Sequence, residues 1–141
     1  MSQTRIYLPL TAAGLRALAK SRETGPAPAS AYAVTARLER ANSADLAEEE
    51  LEHAAFSEAA EAALALQGNE VGKRVIAAAD VDPGTVEPDG SREDASAVTV
   101  SEPVPLRRIV SFHVDESAGD TGLDDLLWYD ATELDEVLRL L

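Results

Sequence analysis

The sequence predicts an α+β domain in which a mixed or antiparallel sheet of five or six strands is covered by three helices on one face, in the order β-α-β-α-β-β-β-β-α. Three observations carry that reading. Short segments of alternating apolar residues recur between Gly- and Pro-rich punctuation. One long stretch has helical spacing and is rich in alanine. Strands and helices do not alternate regularly, which argues against a doubly wound parallel sheet.

Each element follows in order. Arg5–Leu10 places Ile6, Leu8 and Leu10 on one side of a strand, and Pro9 suggests that the strand ends there or lies at an edge. Thr11 is a good N-cap for Ala12–Ser21, where Leu15, Leu18 and Ala19 share a stripe, and Gly25-Pro26 closes the segment. Ala31–Thr35 reads as a second strand and Arg37–Ala41 as a helical turn. Asn42 or Ser43 then caps the longest helix, Ala44–Gln67, ended by Gly68-Asn69. Leu51, Ala55, Ala62 and Leu66 share one face of it, and the alanine-rich second half suggests burial on more than one side, or a homodimer formed through it.

Lys73–Val81 is a third strand, Ala97–Glu102 a fourth and Val110–Asp115 a fifth. Residues 82–96, with Asp82, Glu87, Asp89, Glu93 and Asp94 among Pro and Gly, read as an exposed, mobile loop, and 116–125 as a second acidic surface loop. Leu126–Tyr129 supplies the sixth strand. Asp130 or Thr132 caps a last helix, Glu133–Leu141, whose Leu134, Val137, Leu138 and Leu141 form a docking stripe.

At 141 residues the chain has the length of a single domain, 1–141, and buries roughly two thirds of its unfolded surface without staples. It has no cysteine, which removes disulfides, thiolate metal sites and cysteine nucleophiles and fits the reducing cytoplasm. The opening residues lack a signal-peptide core, and no run approaches the ~20 apolar residues of a membrane span. Net charge is −14, divided as +4 over residues 1–42 and −18 over 43–141. Such a surface repels phosphate backbones, so neither nucleic acid nor membrane is an expected partner; a charged surface that keeps the chain soluble accounts for the acidity, and docking to a basic partner surface is the alternative.

Four stretches, Arg5–Thr11, Glu48–Ala60, Pro103–Glu116 and Leu126–Leu138, together resemble a family of small uncharacterised proteins from actinobacteria, with which the abundance of Ala and Arg agrees. The resemblance implies a single cytoplasmic domain and carries no assigned activity, catalytic residue or cofactor.

Candidate site residues are few. Glu50 and His53, three apart on a helix, form half of a di-iron carboxylate pattern, but no second copy exists; an exposed histidine among acids explains them as well. His113 and Asp115 share one face of a strand, where they could ligate a metal or form an oriented base; a solvent-facing pair at a strand end is the plainer account. Asp120, Asp124, Asp125 and Asp130 suggest a calcium loop but miss the EF-hand register. No phosphate-binding glycine loop and no nucleophile elbow occurs.

Trp128-Tyr129 should place one ring on the core and the other on the opposite side of the sheet. Such residues anchor interfaces, although a Trp packed between the sheet and the last helix accounts for the position equally. Arg5, Arg16, Lys20 and Arg22 make a basic concentration that either binds an acidic ligand or phosphate or pairs with the protein's own acids, within one chain or between two.

The reading that best fits these features is a non-enzymatic interaction or accessory protein acting through a protein–protein surface, with no cofactor. Two rivals stand beside it. One is an enzyme or a small-molecule or metal binder with a site near His113 and Asp115. The other is an acidic decoy that imitates nucleic acid.

Overall fold

The computed structural model describes residues 2–42, 46–68, 72–119, 121–123 and 126–141. Among the described residues the fold is α+β, built on one antiparallel sheet of seven strands in the order β4-β5-β2-β1-β3-β6-β7, with four helices. The strands are β1 (Thr4–Leu10), β2 (Ala29–Ala33), β3 (Val75–Val81), β4 (Val86–Pro88), β5 (Ala97–Val100), β6 (Ile109–Asp115) and β7 (Leu126–Asp130). The helices are α1 (Ala12–Ser21), α2 (Ala36–Ala41), α3 (Glu48–Leu66) and α4 (Leu134–Leu140). The expected order lacked β4, and α2 was only a turn in it.

Both faces of the sheet are covered, which corrects the expectation of helices on one side. α1 and α4 set Leu15, Leu18, Leu134 and Val137 against Ile6, Leu8, Ala77, Phe112 and Val114. On the other face, α2 and α3 set Leu38, Leu51, Ala55, Ala59 and Ala63 against Tyr7, Tyr32, Ile76 and Ala78. This explains why β3 reads VIAAADV with almost no alternation. A central strand buried on both sides has no solvent face to mark with polar residues, and Val75 through Ala79 are all buried.

Small side chains also let α3 settle close to the sheet. Ala55, Ala59, Ala60 and Ala63 are fully buried inside the one chain. Part of the apolar breadth of this helix is therefore taken up by the chain's own sheet, while Leu64 and Leu66 stay exposed near its end. β1 is central rather than an edge: it pairs with β3 along its whole length, from Thr4↔Val81 to Leu10↔Val75. Pro9, which has no N–H to give, lies beyond the last β2 rung, Tyr7↔Tyr32.

Caps fix the helix ends. Thr11 Oγ1 accepts from Gly14 N at 2.9 Å, and Thr35 Oγ1 accepts from Leu38 N at 3.0 Å. α3 starts at Glu48 with no side-chain cap, and Glu48, Glu49 and Glu50 crowd its first turn, where the helix dipole favours negative charge. Asn42 does not cap α3; its side chain closes α2 by donating to Leu38 O at 2.7 Å. The alternative cap Ser43 and the expected start at Ala44 lie outside the described residues, as does Asn69. Gly68, at φ 59, supplies the left-handed residue that ends α3. Arg22 does the same for α1 at φ 67, donating its N–H to Leu18 O at 2.8 Å, although a side chain is strained in that region. Arg22→Gly is expected to raise stability by about 0.5–1 kcal/mol in urea unfolding, with m unchanged.

Residues 82–96 are not a mobile loop. A 3₁₀ turn at Pro83–Thr85 leads into β4, which pairs with β5. Beyond it, Arg92 donates to Ala31 O at 3.0 Å and lies 5.0 Å over the Tyr32 ring. Arg37 holds the Arg92 and Glu93 carbonyls at 2.7 and 2.9 Å, and the Glu58 carboxylate accepts from Ser96 N at 3.0 Å. In the second acidic segment, Gly119 N donates to Gly72 O at 3.1 Å. Among the described residues no helix is long and apolar enough to cross a membrane.

Candidate functional site

α3 packs mainly over β2, β1 and β3 and reaches β6 through Phe56, so the margin at β6 and β7 is only partly covered on that face. The consequence is a cleft of about 340 Å³ lined by Arg5, Tyr7, Glu49, Glu52, His53, Phe56, Ala78, Ser111, His113 and Trp128. The sheet register builds its floor. Tyr7, Ala78 and Ser111 stand side by side across β1, β3 and β6, and His113 and Trp128 are direct partners across β6 and β7. Ala78 leaves the space; a larger residue there would fill the hollow. The wall is one stripe of α3, because Glu49, Glu52, His53 and Phe56 follow the i, i+3, i+4, i+7 spacing of a single helical face.

Aromatic packing sets the rings. Phe56 meets Tyr7 edge-on at 5.7 Å between centroids and His113 at 4.8 Å. Ser111 Oγ lies 3.2 Å from His113 Nε2. Burial, helped by the positive charge of Arg5, pulls the His113 pKa down to about 4, so this imidazole is neutral at pH 7. Burial and the nearby Glu52 carboxylate hold the Tyr7 hydroxyl above its ordinary pKa. Arg5 is itself paired with Asp80, Nε to Oδ1 at 2.6 Å and Nη2 to Oδ2 at 3.1 Å.

The two histidines that the sequence left apart thus line the same cleft, but their expected partners do not accompany them. Asp115 shares the face of His113 yet is fully committed to Arg74, a pair buried to 1% and 2% exposure. The Asp115 carboxylate accepts from Arg74 N at 2.7 Å, Nε at 2.9 Å and Nη2 at 2.7 Å, and Arg74 also donates to Gly122 O. It cannot orient His113 or turn to a metal without abandoning a buried guanidinium. Glu50 is exposed and outside the cleft; Glu49 takes the place beside His53. Among the described residues no three His, Asp or Glu side chains are grouped to hold a metal ion. Asp120, Asp124 and Asp125 lie outside the described residues, and Asp130 is engaged in the capping box that starts the turn before α4.

The arrangement suits binding better than proton transfer. A histidine with a pKa near 4 is a weak base at neutral pH, and among the described residues no carboxylate orients its second nitrogen. What the cleft offers is two imidazoles, the Tyr7 and Ser111 hydroxyls, two carboxylates on α3, the Arg5 guanidinium held by Asp80 and an indole at its rim.

Trp128 is 61% exposed, the most open of the large apolar residues, and Tyr129 is the ring that packs on the core. The basic concentration read from the sequence divides. Arg5 faces the cleft, while Arg16, Lys20 and Arg22 are exposed on α1 and its C-cap, where none makes an ion pair among the described residues. Arg107 and Arg108 join that corner, since Leu106 N donates to Arg22 O at 2.9 Å. Sequence reasoning missed these two, and it missed Tyr7, Phe56 and Ser111 in the cleft. The alternation of Arg5 and Tyr7 against Ile6 and Leu8 was the one available signal.

No curated protein and no solved structure matches the chain. A family model, described as a family of unknown function (DUF6912), matches residues 4–138, from the first residue of β1 into α4, and the chain belongs to that family.

Proposed function

We propose that the protein is a non-enzymatic docking protein whose cleft between α3 and β7 receives a basic segment of a partner protein. The observation that carries this reading is Trp128, the only tryptophan, standing 61% exposed at the rim of a cleft walled by Glu49 and Glu52. An indole with most of its surface exposed is an apolar surface for a partner, and its face attracts a cation. The surrounding charge has the right sign, with a net −14 over the chain. The absence of cysteine suits action in the cytoplasm, where we place the protein.

Trp128 is also the natural reporter. Titrating a short oligolysine into the protein at low ionic strength is expected to change its fluorescence, with an affinity that falls as salt is added. Reversing the wall charges with Glu49→Lys and Glu52→Lys is expected to weaken binding about tenfold or more, each close charge pair being worth ~1 kcal/mol or above. An affinity indifferent to that double reversal, or no response of Trp128, would refute the reading.

A small-molecule site in the same cleft is the second reading, because both imidazoles and Ser111 line it. It expects a metabolite or metal to raise the melting temperature of the wild type but not of His113→Ala. A broad screen without such a hit removes it.

A further inference from the structure

We infer that the basic segment docks as an added strand along β7, hydrogen-bonded through the backbone of Trp128; this rests on the docking function proposed above and says how the partner is held. β7 is the last strand of the sheet, with β6 as its one neighbour. Which of its backbone groups face outwards follows from the ladder. Asp115 N donates to Arg74 O at 3.2 Å, so Ser111, His113 and Asp115 turn their backbone groups towards β3. Their β7 partners, Asp130, Trp128 and Leu126, are then the non-hydrogen-bonded pairs of the β6–β7 ladder and present N–H and C=O to the outside.

Two of those three N–H groups are already occupied. Asp130 N donates to Glu133 Oε1 at 3.0 Å, and Leu126 N donates to Leu123 O at 3.4 Å. The Trp128 N–H has no acceptor among the described residues. The edge is therefore closed at both ends and open in the middle, which fixes the register of anything that adds to it: the partner residue must pair with Trp128. That residue's side chain then lies on the cleft face, beside the exposed indole.

Charge selects the occupant. Residues 109–138 contain nine acidic side chains and no Lys or Arg. A second copy adding edge to edge would set that acidic segment against itself, the arrangement by which proteins keep edge strands from self-pairing. A segment carrying Lys or Arg at alternate positions meets no such repulsion. Its cation can lie over the Trp128 indole and reach Glu49 and Glu52 across the cleft.

The probe is an alternating lysine–valine peptide, compared with a twin N-methylated along its backbone, which keeps the side chains but cannot form the ladder. Binding is read from Trp128 fluorescence and pairing from hydrogen exchange of the Trp128 amide by NMR. The expected result is slowing of that amide by about tenfold or more at saturation, with the methylated twin bound about tenfold more weakly. Equal binding of both peptides with unchanged Trp128 exchange overturns strand addition and leaves the acidic cleft as the site. No binding of either peptide, nor of oligolysine, overturns both proposals. Slowed exchange without peptide, together with a dimer in sedimentation, gives the edge to a second copy and overturns the assignment to a basic partner.

Discussion

Asp115→Ala is expected to destabilise the fold by about 3–5 kcal/mol, among the largest effects of any single substitution. The loss is not simply that of an ion pair. Arg74 is 2% exposed, and its guanidinium and backbone N–H both depend on the Asp115 carboxylate. Truncation leaves a buried cation whose remaining acceptor is the Gly122 carbonyl. The companion experiment separates charge burial from packing. Arg74→Met combined with Asp115→Leu removes both charges, and it should recover most of the loss while still leaving the Arg74 N–H unsatisfied, about 1 kcal/mol short of wild type. Urea unfolding by circular dichroism and by Trp128 fluorescence measures both. A single-mutant loss below about 1 kcal/mol would mean that the pair is solvated, as in a surface salt bridge.

The second large effect is on acid stability. His113 is held at a pKa of about 4, against 6.5 for a free histidine. Between those values the unfolded chain binds a proton that the folded chain refuses. Stability is therefore complete above pH 6.5, falls as the pH drops towards 4, and loses nothing further from this group below that. The difference corresponds to about 2–3 kcal/mol at most, since the cleft is partly open and water screens part of it. His113→Gln removes the titration and should flatten this limb, so that the stability lost between pH 7 and pH 4 is smaller in the variant by about that amount. Equal acid sensitivity of the two proteins would place the imidazole in water.

The framework of the fold was legible because it rests on local patterns. Alternation of Ile6, Leu8 and Leu10, the caps at Thr11 and Asp130, and the stripe through Leu134 and Val137 all announce their elements within a few residues. The second covered face was not legible from patterning alone, because a strand such as Val75–Val81, apolar on both sides, looks the same as a buried strand in several architectures. β4 was hidden by its composition: Val86-Glu87-Pro88 among Pro, Gly and Asp carries loop signals, and only pairing with β5 makes it a strand.

The cleft shows a different limit. His53 and His113 were singled out, but in separate pairs, since spacing couples only residues close in the chain. They line one cleft because α3 lies across β1 and β3 with its Glu49–Phe56 stripe facing β6, a tertiary fact. Arg74 was overlooked for the opposite reason. Beside Lys73 at a strand entrance it reads as an ordinary solvated cation, and its partner is 41 residues away. The anchor of the 82–96 segment was equally non-local, with Arg37, Tyr32 and Glu58 holding it from three other elements.

The account turns on one location, the margin formed by β6, β7 and the first turns of α3. Backbone amide shift mapping by NMR during titration with the lysine–valine peptide tests it most directly. The largest changes should fall on residues 109–115, 126–133 and 49–56, and Trp128→Ala, which removes the indole but keeps the backbone N–H, should weaken the binding that produces them. Changes concentrated around Arg16, Lys20, Arg22 and Arg107, or spread evenly over the acidic surface, would contradict it.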